Sequence, residues 1–127
     1  MSLAETMADV LSAVMSVESA DDGVLTLRHD DTVALVRIVT IADGLEMVSL
    51  TQMLAWDLPA DPELFQRVVA LGQTTMLGTV TLAELPGGHA DVVLRYNFPA
   101  GRLDDRALQT LILMVLAAGA AAREALV

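Results

Sequence analysis

Asp43-Gly44 separates two long runs rich in β-branched and apolar residues, 33–41 and 45–57, and this arrangement constrains the fold more than any other feature of the chain. An Asp-Gly pair readily takes the positive φ angles of a two-residue type I′ loop, so the runs are expected to pair as an antiparallel hairpin. In the second run Val48, Leu50, Leu54 and Trp56 alternate with Met47, Ser49, Thr51 and Met53. Alternation puts the two sets on opposite faces of a sheet, the first strongly apolar and meeting helices, the second half polar.

Around this hairpin the other elements follow from periodicity and punctuation. Ser2 and Glu5 stand at capping-box spacing ahead of Leu3, Met7, Val10, Leu11, Val14 and Met15, which predicts a first helix over 2–17, ended by Asp21-Asp22-Gly23. Residues 24–28 read as a short strand, His29-Asp30-Asp31 as a turn and 32–41 as the first arm of the hairpin. Asp61 can cap a second helix with Pro62 at its first position and Glu63 near the positive end of its dipole; Leu64, Phe65, Val68, Val69 and Leu71 form the expected buried stripe. Gly72 and Gly78 bracket the exit into a strand over 78–85, and Pro86-Gly87-Gly88-His89 turns it into a strand over 91–98. There Val92, Leu94, Tyr96 and Phe98 share one face, and Val93, Arg95 and Asn97 the other.

Asp104, with Leu103 and Leu108 as a hydrophobic staple, starts a last helix over 104–126. It is apolar nearly all round from Leu111 to Ala122, and its interior Gly119 costs about 1 kcal/mol of helix propensity relative to Ala, which can be offset where a neighbouring backbone approaches closely. The uncharged stretch 107–122 falls short of the roughly 20 apolar residues of a bilayer-spanning helix and is read as a buried one.

Composition narrows the function. With 127 residues the chain fits a single domain, 1–127, around one core. Its 17 Asp and Glu face 7 Arg and no Lys, a net charge of −10, which argues against nucleic-acid binding; 54% apolar content argues against disorder. Cysteine is absent, so disulfides, thiolate metal sites and cysteine nucleophiles are excluded. Nothing at the N-terminus reads as a secretory signal, and a cytoplasmic location is the expectation.

Candidate chemistry is sparse. His29 and His89 lie beside turn residues with no second ligand at metal-binding spacing, so His29-Asp30-Asp31 is read as a solvated turn. Pro86-Gly87-Gly88 joins two strands and precedes no helix, which removes it as a phosphate cradle. The pairs Asp21-Asp22, Asp30-Asp31 and Asp104-Asp105 sit at turns and a helix start, and no serine lies in a Gly-x-Ser-x-Gly elbow. No catalytic, cofactor-binding or metal site is assigned, and the expectation is a non-enzyme without cofactor.

Apolar surface remains. Of seven Met, Met47 and Met53 fall on the half-polar face of their strand with Ser49, and flexible thioethers suit an adaptable docking surface. Met47, Ser49, Met53 and Trp56 are therefore the candidate partner-binding residues for a protein segment, and Leu64, Phe65 and Val68 the candidate homodimer interface. The rival expectation is a small-ligand binder or enzyme with a pocket between sheet and helix, anchored by Arg37 or Arg95.

The resulting element order, α-β-β-β-α-β-β-α, is an α+β fold with a five-stranded antiparallel sheet. With Leu77-Gly78-Thr79-Val80-Thr81-Leu82, Leu94-Arg95-Tyr96-Asn97-Phe98-Pro99 and the Leu103-Asp104 helix start, the chain resembles the YbjN-like family and the wider type III secretion chaperone-like fold over nearly its whole length. The resemblance implies a small, bacterial, non-enzymatic and usually dimeric protein that holds an extended segment of another protein. The roadblock or longin-type regulatory dimer is the nearest competitor; it places two strands before its middle helix and three after, so residues 24–28 decide between them.

Overall fold

The computed structural model describes residues 2–20 and 22–127. Its elements are α1 (Leu3–Ser12), β1 (Ser16–Ser19), β2 (Leu25–His29), β3 (Thr32–Ala42), β4 (Leu45–Pro59), α2 (Pro62–Thr74), β5 (Thr79–Leu85), β6 (His89–Pro99) and α3 (Asp105–Glu124). The strands form one antiparallel sheet in the order β1-β2-β3-β4-β6-β5. Helix residues from all three helices join a single core with one face of this sheet, here called the inner face.

The sheet has six strands where five are expected, because the first helix stops at Ser12 and residues 16–19 pair with β2. Val14 and Met15 extend the helical spacing, but both of their amides turn back to the Leu11 carbonyl and close the helix. In Ser16-Val17-Glu18-Ser19 only Val17 is half-buried, and it pairs with the buried Leu27. The acidic cluster thus serves the β1–β2 turn, with Asp22 Oδ1 accepting from the Val24 amide at 3.1 Å and Gly23 left-handed at φ +83°; Asp21 lies outside the described residues. Four strands now precede α2 and two follow it, against two and three in the roadblock arrangement.

The central hairpin forms as expected, with a different turn. Gly44 alone is left-handed (φ +76°), whereas a type I′ turn needs positive φ at Asp43 too. An extra residue in β3, between Thr40 and Ala42, absorbs the difference as a bulge and spares Asp43 that conformation. At the end of α2, the Thr75 amide bonds Leu71 O and the helix continues past Gly72 to Thr74, so Gly78 alone marks the exit. A Cβ on Gly78 (φ +89°) would run into the Leu94 side chain, so this left-handed position beside β6 needs glycine.

All three helix N-termini are capped as their sequences suggest. Ser2 Oγ accepts from the Glu5 amide at 3.2 Å, Asp61 from Leu64 at 2.8 Å and Asp104 from Ala107 at 2.7 Å. α3 has the length and apolar content to cross a bilayer, yet Leu108, Ile112, Val115 and Leu116 are buried in the core against the sheet.

Packing of α3 on β4 turns on one polar side chain. Gln52 is fully buried on the inner face; its Nε2 donates to Thr32 Oγ1 at 2.8 Å and to the Leu116 carbonyl of α3 at 3.1 Å. The Thr32 hydroxyl in turn donates to the His29 carbonyl at 2.7 Å. Directly over the carboxamide lies Gly119, where a Cβ would overlap Oε1, Cδ and Nε2. Oε1 has no hydrogen-bond donor among the described residues and occupies the space that a Cβ at position 119 would take. The glycine that looked costly in the helix is the seat of the glutamine.

This fit is testable. Gly119→Ala should lower stability by about 1–2 kcal/mol in urea unfolding, overpacking outweighing the gain in helix propensity. Combining it with Gln52→Ala, which vacates the seat, should recover at least about 1 kcal/mol relative to additivity. A stabilised Gly119→Ala single variant would refute the packing described.

Candidate docking face

Strand register sorts the side chains of the sheet. On the inner face Leu25 and Leu27, Ala34 and Val36, Val48, Leu50 and Gln52, and Val92 and Leu94 meet the helices. The outer face presents three cross-strand rows: Val39, Met47 and Pro99; Arg37, Ser49 and Asn97; Leu35, Thr51 and Arg95. A fourth row joins Val33, Met53 and Val93. No described helix packs on this face: Leu35 is 45% exposed, Val39 37%, and Met47, Ser49, Thr51 and Met53 are half-buried.

Trp56 departs from simple alternation. It is expected beside Leu54 on the helix-facing side, but it is 47% exposed. Between Met53 and Ala55 the register on β6 advances by one residue only, from Val93 to Val92, so Leu54 is a bulge residue. Leu54 and Ala55 are consequently both buried, and Trp56 is turned to the outer face that carries Met47, Ser49 and Met53. The bulge is held in place from α3, where Arg123 Nη1 donates to the Leu54 carbonyl at 2.6 Å. A second irregularity, with Asp57 left-handed at φ +55°, is pinned by the Asp57 amide donating to Asp91 Oδ1 at 2.9 Å. All four candidate partner-binding residues thus share one face, although periodicity alone does not put Trp56 there.

On α2 the candidate interface divides. Leu64 and Val68 are buried in the chain's own core, whereas Phe65 is 37% and Val69 64% exposed; the five-residue stripe read from the sequence is too wide, because α2 rests on the sheet's margin at β5 and has one inward side. Phe65 and Val69, with Ala70, line an open apolar groove of about 310 Å³. Beside them β5 is an edge strand, hydrogen-bonded to β6 on one side only.

The arginines proposed as anchors for an enclosed pocket are elsewhere. Arg37 and Arg95 are exposed on the outer face, and the space between sheet and helices is occupied by the core. The hollow that touches Arg95, about 560 Å³ and open, is lined by Gly78, Thr79, Thr81, Tyr96 and Asn97 along β5 and β6. His29 lies 3.8 Å from Asp30, and His89 lies 3.9 Å from Asp57. Among the described residues no three His, Asp or Glu side chains gather in a metal-binding arrangement.

Comparison with known proteins bears on the fold. No protein-family profile matches the chain, and no curated protein does. Among solved structures, the chain is similar to the crystal structure of YbjN from E. coli, described as a proposed transcription regulator, with a TM-score of 0.66 and 12% identity over 94% of this chain and 87% of that one. At this identity the likeness concerns architecture, and the chain has a YbjN-like α+β fold with a six-stranded antiparallel sheet.

Proposed function

We propose that this protein is a non-catalytic homodimer that binds a segment of another protein on the outer face of its sheet. The observation that carries the reading is an uncovered sheet face bearing Leu35, Val39, Met47, Met53 and Trp56, built on a chain whose interior is already filled. Apolar side chains left bare on a sheet, with polar groups among them, are the usual mark of a protein-binding surface. A bulge braced by Arg123 holds Trp56 on this surface, and an aromatic ring at such a place is a strong anchor for a partner.

The pocket-based alternative is weaker, since both of its candidate anion anchors lie outside the sheet–helix interior. A regulatory role, in keeping with the description of the YbjN neighbour, would act here through protein contact, because a net charge of −10 repels a phosphate backbone. For self-association the margin formed by β5 and the exposed side of α2 offers a free strand edge beside Phe65 and Val69. Pairing β5 with β5 of a second copy would cover both features at once.

Two measurements test these points. In a pull-down from the native host, Met47→Asp with Met53→Asp should lose the polypeptides that the unmodified protein retains, while far-UV circular dichroism stays unchanged; a lost fold or unaltered retention counts against the reading. In light scattering at micromolar concentration the unmodified chain should have twice its monomer mass, and Phe65→Asp with Val69→Asp should halve it without loss of helicity. A monomeric unmodified protein would overturn the dimer.

A further inference from the structure

The centre of the outer face differs in charge from the chain as a whole, whose net charge is −10. Its central rows over β3, β4 and β6 include Val33, Leu35, Val39, Met47, Met53 and Val93 around Arg37 and Arg95, with no carboxylate in any of them, although the chain has 17. Two acids flank these rows, and each has a partner: Glu18 pairs with Arg28 at 3.3 Å, and Asp91 accepts from the Asp57 amide. Among the described residues neither Arg37 nor Arg95 has a carboxylate within ion-pairing distance. Two exposed guanidiniums therefore stand free in the middle of an apolar field.

Taking the outer face as the docking surface proposed above, we infer that its partner is an acidic, apolar segment of another protein, with carboxylates seated on Arg37 and Arg95. The register fixes their spacing. Arg37 is opposite Ser49, Ser49 is opposite Asn97, and Arg95 is two residues along from Asn97. Two strand spacings across and two residues along separate the Arg Cα atoms by about 12 Å. Carboxylates four residues apart in an extended segment, or seven to eight apart in a helix, span about this distance. Ser49, Thr51 and Asn97 lie between the arginines and supply uncharged hydrogen-bonding groups, while Leu35, Met47, Met53 and Trp56 take the apolar side chains.

Two other occupants fit less well. A second copy docked face to face would bring four arginines into one dehydrated contact without an acid opposite them. A nucleic acid needs a broad basic surface, and here two arginines stand in a chain of net charge −10. An acidic segment is compatible with that global charge because at physiological salt the Debye length is about 8 Å, so a docked carboxylate senses the acid-free centre more than the distant acids.

The full chain can be panned against a phage-displayed library of random dodecapeptides, and the best-enriched sequence made as a labelled peptide for fluorescence anisotropy. Enriched sequences should have an excess of Asp and Glu among Leu, Ile, Val and aromatic residues. Replacing the acids of that peptide by Asn and Gln, or using Arg37→Gln with Arg95→Gln protein, should weaken binding at least about tenfold, as expected for loss of close charge pairs. Arg37→Glu with Arg95→Glu protein should instead prefer the peptide in which Lys replaces the acids. Retention that Met53→Asp abolishes but the arginine changes leave intact would overturn the acidic-partner inference and keep the docking face. Retention that survives both changes, or no enriched sequence, would overturn both. Tighter binding of a labelled thymidine 20-mer through the same arginines would assign the face to nucleic acid, and arginine-dependent growth beyond the dimer would assign it to a second copy.

Discussion

The carboxamide of Gln52 beneath Gly119 is the contact on which the architecture is organised. A buried amide without partners costs several times the net worth of a hydrogen bond, so the position is tolerable only where the surroundings satisfy it. Thr32 on β3 and the Leu116 carbonyl on α3 provide those partners for its NH2 group, and they come from different elements, while Oε1 is left without a donor among the described residues. The glutamine therefore ties β3, β4 and α3 into one relative placement, where an all-apolar interface would allow the helix to slide. Arg123 adds a second tie four residues beyond Gly119 by satisfying the carbonyl that the β4 bulge leaves free. Both ties act on β4, the fifteen-residue strand that has β3 on one side and β6 on the other.

Fixing β4 on the helix side fixes what it displays on the other. Side chains of a strand alternate, so the same register that sinks Val48, Leu50 and Gln52 into the core raises Met47, Ser49, Thr51 and Met53 on the outer face. The bulge adds the single exception. It lets Leu54 and Ala55 both serve the core and turns the ring of Trp56 outward. Core and proposed docking surface are thus two readings of one strand, and the polar ties that look expensive in the interior keep the exterior array in order.

Much of this was legible in the residues themselves. Capping side chains at Ser2, Asp61 and Asp104, the hairpin at Asp43-Gly44 and the face division of β6 are short-range signals, decided by groups a few positions apart, and all are present in the fold. What escaped depends on partners far along the chain. Nothing near residue 16 announces β1, because a four-residue polar strand becomes one only through pairing with β2. The bulge at Leu54 is invisible without β6 and Arg123, so Trp56 is assigned to the wrong side. Gly119 gave a partial warning: a close approach can be read from the helix, but a neighbouring backbone is what the sequence suggests, and the neighbour is instead a glutamine side chain 67 positions earlier. On α2 the excess width of the apolar stripe was itself informative, since the part that the core does not use, Phe65 and Val69, lies beside the free edge of β5.

The two margins of the sheet are unequal, and this limits how the molecule can assemble. At one end β1 is four residues long and largely exposed, with the Glu18 and Arg28 side chains crossing its ladder; at the other β5 offers seven residues with no proline and a single acidic side chain. Short, charged margins resist further pairing, whereas longer uncharged ones invite it. A molecule with two inviting margins would stack into a ribbon without end. If, as proposed, two copies join through β5 about a two-fold axis, the first union would use up the inviting margin and leave only blunt ends facing water, and sheet growth would be arrested at a pair.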